Sequence, residues 1–161
     1  MWRTRRLGRA ATGLILVAGL SQLWGGGTAD ATDSATTAAV GLANAIDGDP
    51  QTFWHSAAAA RKPLPATLTL DLGSSQQVAG LTYLPRQDRA IPGFITGYNV
   101  LVSVDGTDFT TVATGTWLPD AKLKAASWPA VTARYVRREA TSGVNGVASA
   151  AEVNVASAGT G

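Results

Sequence analysis

Two aspartates placed either side of a glycine, with a threonine three positions further on, make residues 44–56 (N-A-I-D-G-D-P-Q-T-F-W-H-S) the densest chemistry in the chain. Gly48 and Pro50 force this segment into a tight, irregular turn. Such a turn can aim the carboxylates of Asp47 and Asp49 and the hydroxyl of Thr52 at one point, and calcium takes roughly six to eight oxygens at about 2.3–2.6 Å from groups of this kind. The turn alone supplies too few. A remote acid is therefore needed, and Glu152, in the late run A-S-A-A-E-V-N-V, is the candidate. The other reading open at this point is that both aspartates only cap the turn through Asx-type hydrogen bonds. An EF-hand is excluded, because counting from Asp47 its glycine position holds Thr52 and its closing glutamate position holds Ala58.

Catalytic chemistry finds little support. The chain has one histidine and no cysteine, and it lacks a G-x-S-x-G elbow, an H-E-x-x-H pair and a glycine-rich phosphate loop, so no enzymatic activity is expected. His55, next to Trp54, reads as a structural or ligand-contacting residue rather than a general base. Trp54, Trp117, Trp128, Tyr83, Tyr98 and Tyr135 are expected in the core or at its rim, since a sandwich of this size needs several such side chains. Phe94, in the turn that begins at Ile91, is the aromatic expected to offer an exposed face to a ligand.

The elements that must position these residues read as strands. Residues 66–72 alternate Leu68, Leu70 and Leu72 with Thr67, Thr69 and Asp71 and stop at Gly73-Ser74-Ser75, which predicts a half-buried strand ending in a turn. Residues 78–84 are the next strand, ending at Pro85. An apolar run over 95–104 leads through Asp105-Gly106 into 109–113, a short-range hairpin signal. Residues 134–137 and 148–155 supply two late strands. No helical period interrupts them, which argues for two packed antiparallel sheets.

The first 31 residues carry Arg3, Arg5, Arg6 and Arg9, then an apolar run too short and too interrupted to span a bilayer, then Ala29-Asp30-Ala31. They read as a signal peptide, so the protein is expected to be secreted, by the general route or, given Thr4-Arg5-Arg6-Leu7, the twin-arginine route. Removing them takes away four arginines and one aspartate, leaving nine basic and ten acidic residues. The basic balance of the whole chain thus belongs to the signal, and no nucleic-acid partner follows from it. The remaining 130 residues make one domain. They divide into a lead-in over 32–42, a domain over 43–156 and a tail over 157–161.

Six segments, taken together and in order, resemble the discoidin-type (coagulation factor 5/8 type C) domains. They are A-I-D-G-D-P-Q-T-F-W-H-S (45–56), L-T-Y-L-P-R-Q-D (81–88), V-S-V-D-G-T-D-F (102–109), G-T-W-L-P-D-A-K-L-K (115–124), A-R-Y-V-R (133–137) and A-S-A-A-E-V-N-V (148–155). The chain is most similar to the family 32 carbohydrate-binding modules, including the N-terminal domain of galactose oxidases. The resemblance implies an eight-stranded antiparallel jelly-roll β-sandwich with a structural calcium ion and glycan-binding loops at one end. It implies calcium ligands at Asn44, Asp47, Asp49, Thr52, Ala151 and Glu152, with Asn44 and Ala151 contributing backbone oxygens. It places His55 and Arg86 in the glycan site, with Phe94 and Asn145 as further contacts. Two positions depart from the family pattern: Pro92 stands where an asparagine is common, and Val147 where an aromatic or proline often follows Asn145-Gly146. A third is Arg138, where relatives usually carry leucine, which questions either the strand register or the dryness of the core there. The implied function is a monomeric, non-catalytic module binding a glycan or polysaccharide, with galactose-type sugars in view. The alternative is an adhesion domain binding protein or phospholipid, although no set of exposed apolar spikes points to membrane lipid.

Overall fold

The computed structural model describes residues 14–15, 31–33, 42–56 and 64–158. The expected signal peptide and tail lie largely outside the described residues.

Among the described residues the chain is an all-β antiparallel sandwich with only short 3₁₀ turns, at Leu42–Ala45 and Val144–Gly146. The strands are β1 (Leu14–Ile15), β2 (Ala31–Asp33), β3 (Trp54–His55), β4 (Ala66–Leu84), β5 (Ile95–Ser103), β6 (Thr110–Thr116), β7 (Lys124–Gly143), β8 (Ser149–Ala150) and β9 (Glu152–Ser157). The main sheet runs β1-β9-β4-β7-β5-β6, with β2 also on β4, while β3 and β8 form a separate pair. β1 lies within the segment read as a signal peptide, so cleavage there would leave β9 as the sheet edge.

β4 and β7 are too long to belong to one layer. Ala66 to Asp71 pair with Tyr135 to Ala140, the register then slips, and Gln76 to Tyr83 pair with Lys124 to Ala133. The Gly73-Ser74-Ser75 signal is thus a bend that carries one strand from one layer into the other, not the turn between two strands that the sequence suggests. Gly73 takes φ 82° there, and its N–H donates to the Asp71 carboxylate at 2.8 Å. Arg134 Nε and Nη2 grip the same carboxylate at 2.7 and 2.8 Å, holding its pKa below the usual range and tying the two long strands together at the bend. One layer therefore consists of β6, β5, the second half of β7 and the first half of β4, with β2 paired to the latter. The other consists of the remaining halves with β9 and β1.

The alternation read from the sequence produces the core. Leu68, Leu70 and Leu72 are buried, together with Leu81, Val100, Val136, Val153 and Val155 from facing strands. Trp54 and Tyr83 lie among them, and Trp117 stacks on Tyr98 at 3.8 Å and on Tyr83 at 5.2 Å. Burial pushes the Tyr83 phenol up to about 12, so it stays neutral and accepts the Ile95 N–H at 3.3 Å.

Arg138 answers the question its position raises. The register is intact, with Leu68 and Val100 as its neighbours across β4 and β5, so its side chain must point inward with those of Val136 and Ala140. It is 0 % exposed, and its guanidinium lies 5.3 Å from the Trp54 ring and 5.7 Å from the Tyr83 ring. Aromatic faces partly replace the hydration such a cation loses.

The Asp105-Gly106 signal is also realised differently. Six residues, 104–109, separate β5 from β6, where a two-residue turn would be the shortest form. The Asp105 carboxylate organises them, accepting from Thr107 N, Asp108 N and Ser103 Oγ at 2.8, 3.0 and 2.9 Å. Those bonds lower its pKa.

Candidate functional site

The 47–52 turn folds as its residue types dictate, with Gly48 at φ 83°. Asp47 Oδ1 accepts from Asp49 N at 2.8 Å, and Asp49 Oδ1 accepts from Gln51 N at 2.9 Å, so the Asx caps are present. The cap leaves the second oxygen of Asp47 to Thr52, whose hydroxyl donates to Asp47 Oδ2 at 2.7 Å and lies 3.1 Å from the Asp49 carbonyl oxygen. Glu152 arrives from the far end of the chain and accepts from Gly48 N at 2.5 Å. Ala151, just before it, is held by its N–H on the Leu84 carbonyl at 2.8 Å, and Asn44 Nδ2 reaches the Phe53 carbonyl at 3.4 Å.

Three carboxylates, a hydroxyl and backbone carbonyls thus belong to one small region, and Glu152 is only 1 % exposed. These are hard oxygen donors without nitrogen or sulfur, a set that fits calcium and not a softer metal. No group of three or more His, Asp or Glu side chains among the described residues is close enough to hold a metal by itself. The carboxylates alone therefore do not make a site, and the Thr52 hydroxyl and the Asp49 carbonyl oxygen are the further oxygens that lie with them in the turn.

A second cluster lies beside it. β3 pairs with β8, setting His55 opposite Ser149, and Ser56 N donates to the Ala148 carbonyl at 2.7 Å. Ser149 N in turn donates to the Gly93 carbonyl at 2.8 Å, while Gly93 N donates to the Val144 carbonyl at 3.0 Å. Gly93 has φ 96°, and an added Cβ would lie 2.6 Å from Ser149 Oγ, so only glycine permits this approach. Arg86 joins from the loop after β4, its Nη1 donating to the Pro92 carbonyl at 3.1 Å. His55, Arg86 and the loop that carries Asn145 therefore meet at one edge of the sandwich.

The Arg86 side chain is fixed on three sides. Its Nε and Nη2 grip the Asp88 carboxylate at 2.7 and 2.6 Å, and its guanidinium lies 4.3 Å from the centre of the Phe53 ring. N–H groups on both terminal nitrogens remain for a ligand. His55 Nδ1 lies 2.8 Å from the Ser56 carbonyl, an acceptor only, so Nδ1 carries the proton and Nε2 presents a lone pair. Burial, with a smaller contribution from the Arg86 charge, lowers the His55 pKa from 6.5, against the raising effects of Ser56 and Asp88. The ring is neutral at pH 7. Arg86 thus offers donors and His55 an acceptor on the same edge, the two roles that sugar hydroxyls need from a protein.

Phe94 is a correction. It is 4 % exposed and offers no stacking face, because its N–H donates to the Ile91 carbonyl and its carbonyl accepts from Val144 N, drawing it under the 144–146 turn. The exposed apolar side chain of that turn is Ile91, at 59 %. Asn145 stands exposed at φ 62°. Sequence reasoning passed over Asp88 and Phe53, which orient Arg86; the R-x-D spacing was the available signal.

A jelly-roll sandwich with its polar side chains gathered on the loops of one edge is the class of a binding module. The chain belongs to the F5/8 type C domain family, whose model matches residues 28–153. It is 43 % identical to a galactose oxidase of Gibberella zeae over 117 residues, which is 69 % of this chain and 17 % of that protein. It thus spans well under a quarter of that relative's length. A Clostridium perfringens CBM32 domain in complex with GalNAc-β-1,3-galactose is similar at TM-score 0.75 and 38 % identity, covering 80 % of this chain and 94 % of that one. A second, the family 32 module of NanJ from the same organism in complex with galactose, is similar at TM-score 0.71 and 31 % identity, covering 78 % and 91 %.

Proposed function

We propose that this chain is a secreted, non-catalytic carbohydrate-binding module whose glycan site is formed by His55, Arg86 and Asn145 beside a structural calcium site. The observation that carries it is the state of Arg86: pinned by Asp88 and Phe53, with N–H groups left over beside an acceptor nitrogen of His55. Two similar structures hold galactose-containing ligands, which supports a galactose-type ring. Val147 provides no stacking face here, and Phe94 is buried, so polar contacts carry most of the binding. A single shallow site gains only a few kcal/mol net, and monovalent affinity should fall at about 0.1–1 mM. Several copies or a repetitive polysaccharide would then supply avidity.

Affinity electrophoresis in galactan gels is the test. Arg86→Lys keeps the charge but loses the planar fork, and retardation should drop by roughly 10-fold or more. Asp88→Ala leaves the fork but frees it to move, and a smaller loss is expected. Binding by Arg86→Lys at the parent level would reject the site, and binding of a protein or of lipid vesicles but no sugar would reject the function.

The histidine makes a separate prediction. Its folded pKa lies below the unfolded value of 6.5, so the unfolded chain binds this proton more readily. The corresponding stability is present above 6.5 and is lost as pH falls through the folded value. Galactoside affinity should stay flat from pH 8 to 6.5 and weaken below that as Nε2 is protonated. His55→Gln should remove this acid limb, and an unchanged limb in that variant would assign it to another group.

A further inference from the structure

An edge strand shows a row of backbone N–H and C=O groups to its surroundings, and proteins guard such an edge with charges, proline or a covering segment. Among the described residues, β2 covers the first half of β4 and β1 covers β9, while the first half of β7, paired only with β4, carries Lys124 and Pro129. β6 has no such guard. It pairs only with β5, and its seven residues, T-T-V-A-T-G-T, include neither a charge nor a proline. The one irregularity, an extra residue at Val112, lies toward its start and leaves Ala113 to Thr116 in regular register.

The two ends of this strand differ in chemistry. Its start adjoins the 104–109 hairpin, where Asp105 and Asp108 border a cleft of about 390 Å³ that also touches Val104, Val112 and Val131. Asp108 is exposed, and the bonds that organise the hairpin all fall on one oxygen of Asp105. The far end of β6 runs into the 117–123 loop, which is tied to the glycan edge by Trp117 N on the Thr96 carbonyl at 2.9 Å and by Gln87 Nε2 on the Ala121 carbonyl at 3.0 Å. There the Asp120 carboxylate is taken by Lys124, and Lys122 and Leu123 stand exposed. One end is thus acidic beside an open apolar cleft, and the other offers a surplus lysine beside an exposed leucine.

We propose that β6 is the docking edge for β6 of a second copy of this chain, the two strands pairing antiparallel about a two-fold axis at Thr114, to give a dimer where the resemblance implies a monomer. A two-fold axis sets the start of each strand beside the far end of the other, so the complementary ends meet twice. Asp108 of each copy then faces Lys122 of the other, and Leu123 comes to the mouth of the facing cleft. The same geometry points the two glycan edges in opposite directions, and such a dimer bridges two polysaccharide chains instead of gripping one. The bridging rests on the glycan-binding reading above; the pairing does not.

Sedimentation velocity over a concentration series tests it, with the parent, Thr114→Lys, Asp108→Lys, Lys122→Glu and the Asp108→Lys/Lys122→Glu double variant. The parent should dimerise, and Thr114→Lys, which sets two lysines opposite each other at the axis, should weaken the dimer about tenfold or more. Each single charge reversal should weaken it about fivefold, because the contact occurs twice, and the double variant should recover most of that loss. Circular dichroism separates lost pairing from lost fold, and the charge-reversal series decides the matter should Thr114→Lys fail to fold. A parent still monomeric at about 1 mM, a dimer untouched by a folded Thr114→Lys, or a double variant no better than the single ones overturns the inference. Open polymers overturn it as well, since a two-fold contact closes on itself. The parent should also precipitate a galactan that Thr114→Lys binds without precipitating. A dimer that binds galactan without precipitating it overturns the opposed arrangement, whereas a dimer that binds no glycan leaves the pairing standing and overturns the glycan-binding reading.

Discussion

Trp54→Ala should destabilise the domain by about 3–5 kcal/mol, and toward the upper end of that range. The ring is fully buried, so truncation leaves a cavity that the two layers cannot close without moving. It also strips the Arg138 guanidinium of a face 5.3 Å away, a contact worth up to ~2 kcal/mol when desolvated, and leaves that cation in a widened, still dry space. The effect should reach the site, because β3 consists of Trp54 and His55 alone and is paired only with the two-residue β8. Freed of its anchor, β3 should fray and take the His55 acceptor with it. Urea unfolding with a galactan-retardation assay below the transition would show both losses. Leu118→Ala, at a side chain 74 % exposed, is the control and should stay within about 0.5 kcal/mol of the parent. A Trp54→Ala loss no larger than the control's would mean that the core repacks around the missing ring.

Calcium should raise the melting temperature by several degrees, and Glu152→Ala should abolish that rise. An ion bound only by the folded state stabilises it by about 2.7 kcal/mol at a hundredfold excess over its Kd, and by about 4 kcal/mol at a thousandfold. For a domain of this length that corresponds to a shift of several degrees. The 47–52 turn and Glu152 lie a hundred residues apart in sequence but meet through Gly48 N at 2.5 Å, so an ion there would tie the start of the domain to its last strand. Asp47→Ala should remove the same response by deleting an anionic ligand, although it also deletes the Asx cap and the Thr52 contact. Asp105→Ala separates these effects: it breaks three turn-capping bonds in a hairpin that takes no part in the proposed ion site, so its melting temperature should fall while its calcium response survives. Identical melting of the parent in EGTA and in millimolar calcium, with no metal found by elemental analysis, would return Asp47 and Asp49 to capping alone.

Local pattern was enough for the all-β class, the inward leucines of β4, the burial of Trp54 and the irregular turn at Gly48, because each depends on side-chain alternation or on φ preferences within a few residues. The family signatures over 45–56 and 81–88 were likewise contiguous, and they pointed to His55 and Arg86. Tertiary structure alone decided three other things. Gly73 could end a strand or bend it, and only pairing with both halves of β7 makes it the point where β4 changes layer. Phe94 lies in a turn, where exposure is the usual outcome, yet backbone bonds from Val144, fifty residues on, cover it. Arg138 breaks the apolar pattern of its strand and still points inward, since a slip by one residue would expose Val136 and Ala140 while burying Arg137 and Glu139. In each case the outcome depends on the free energy of contacts from a distant segment, which no window along the chain contains.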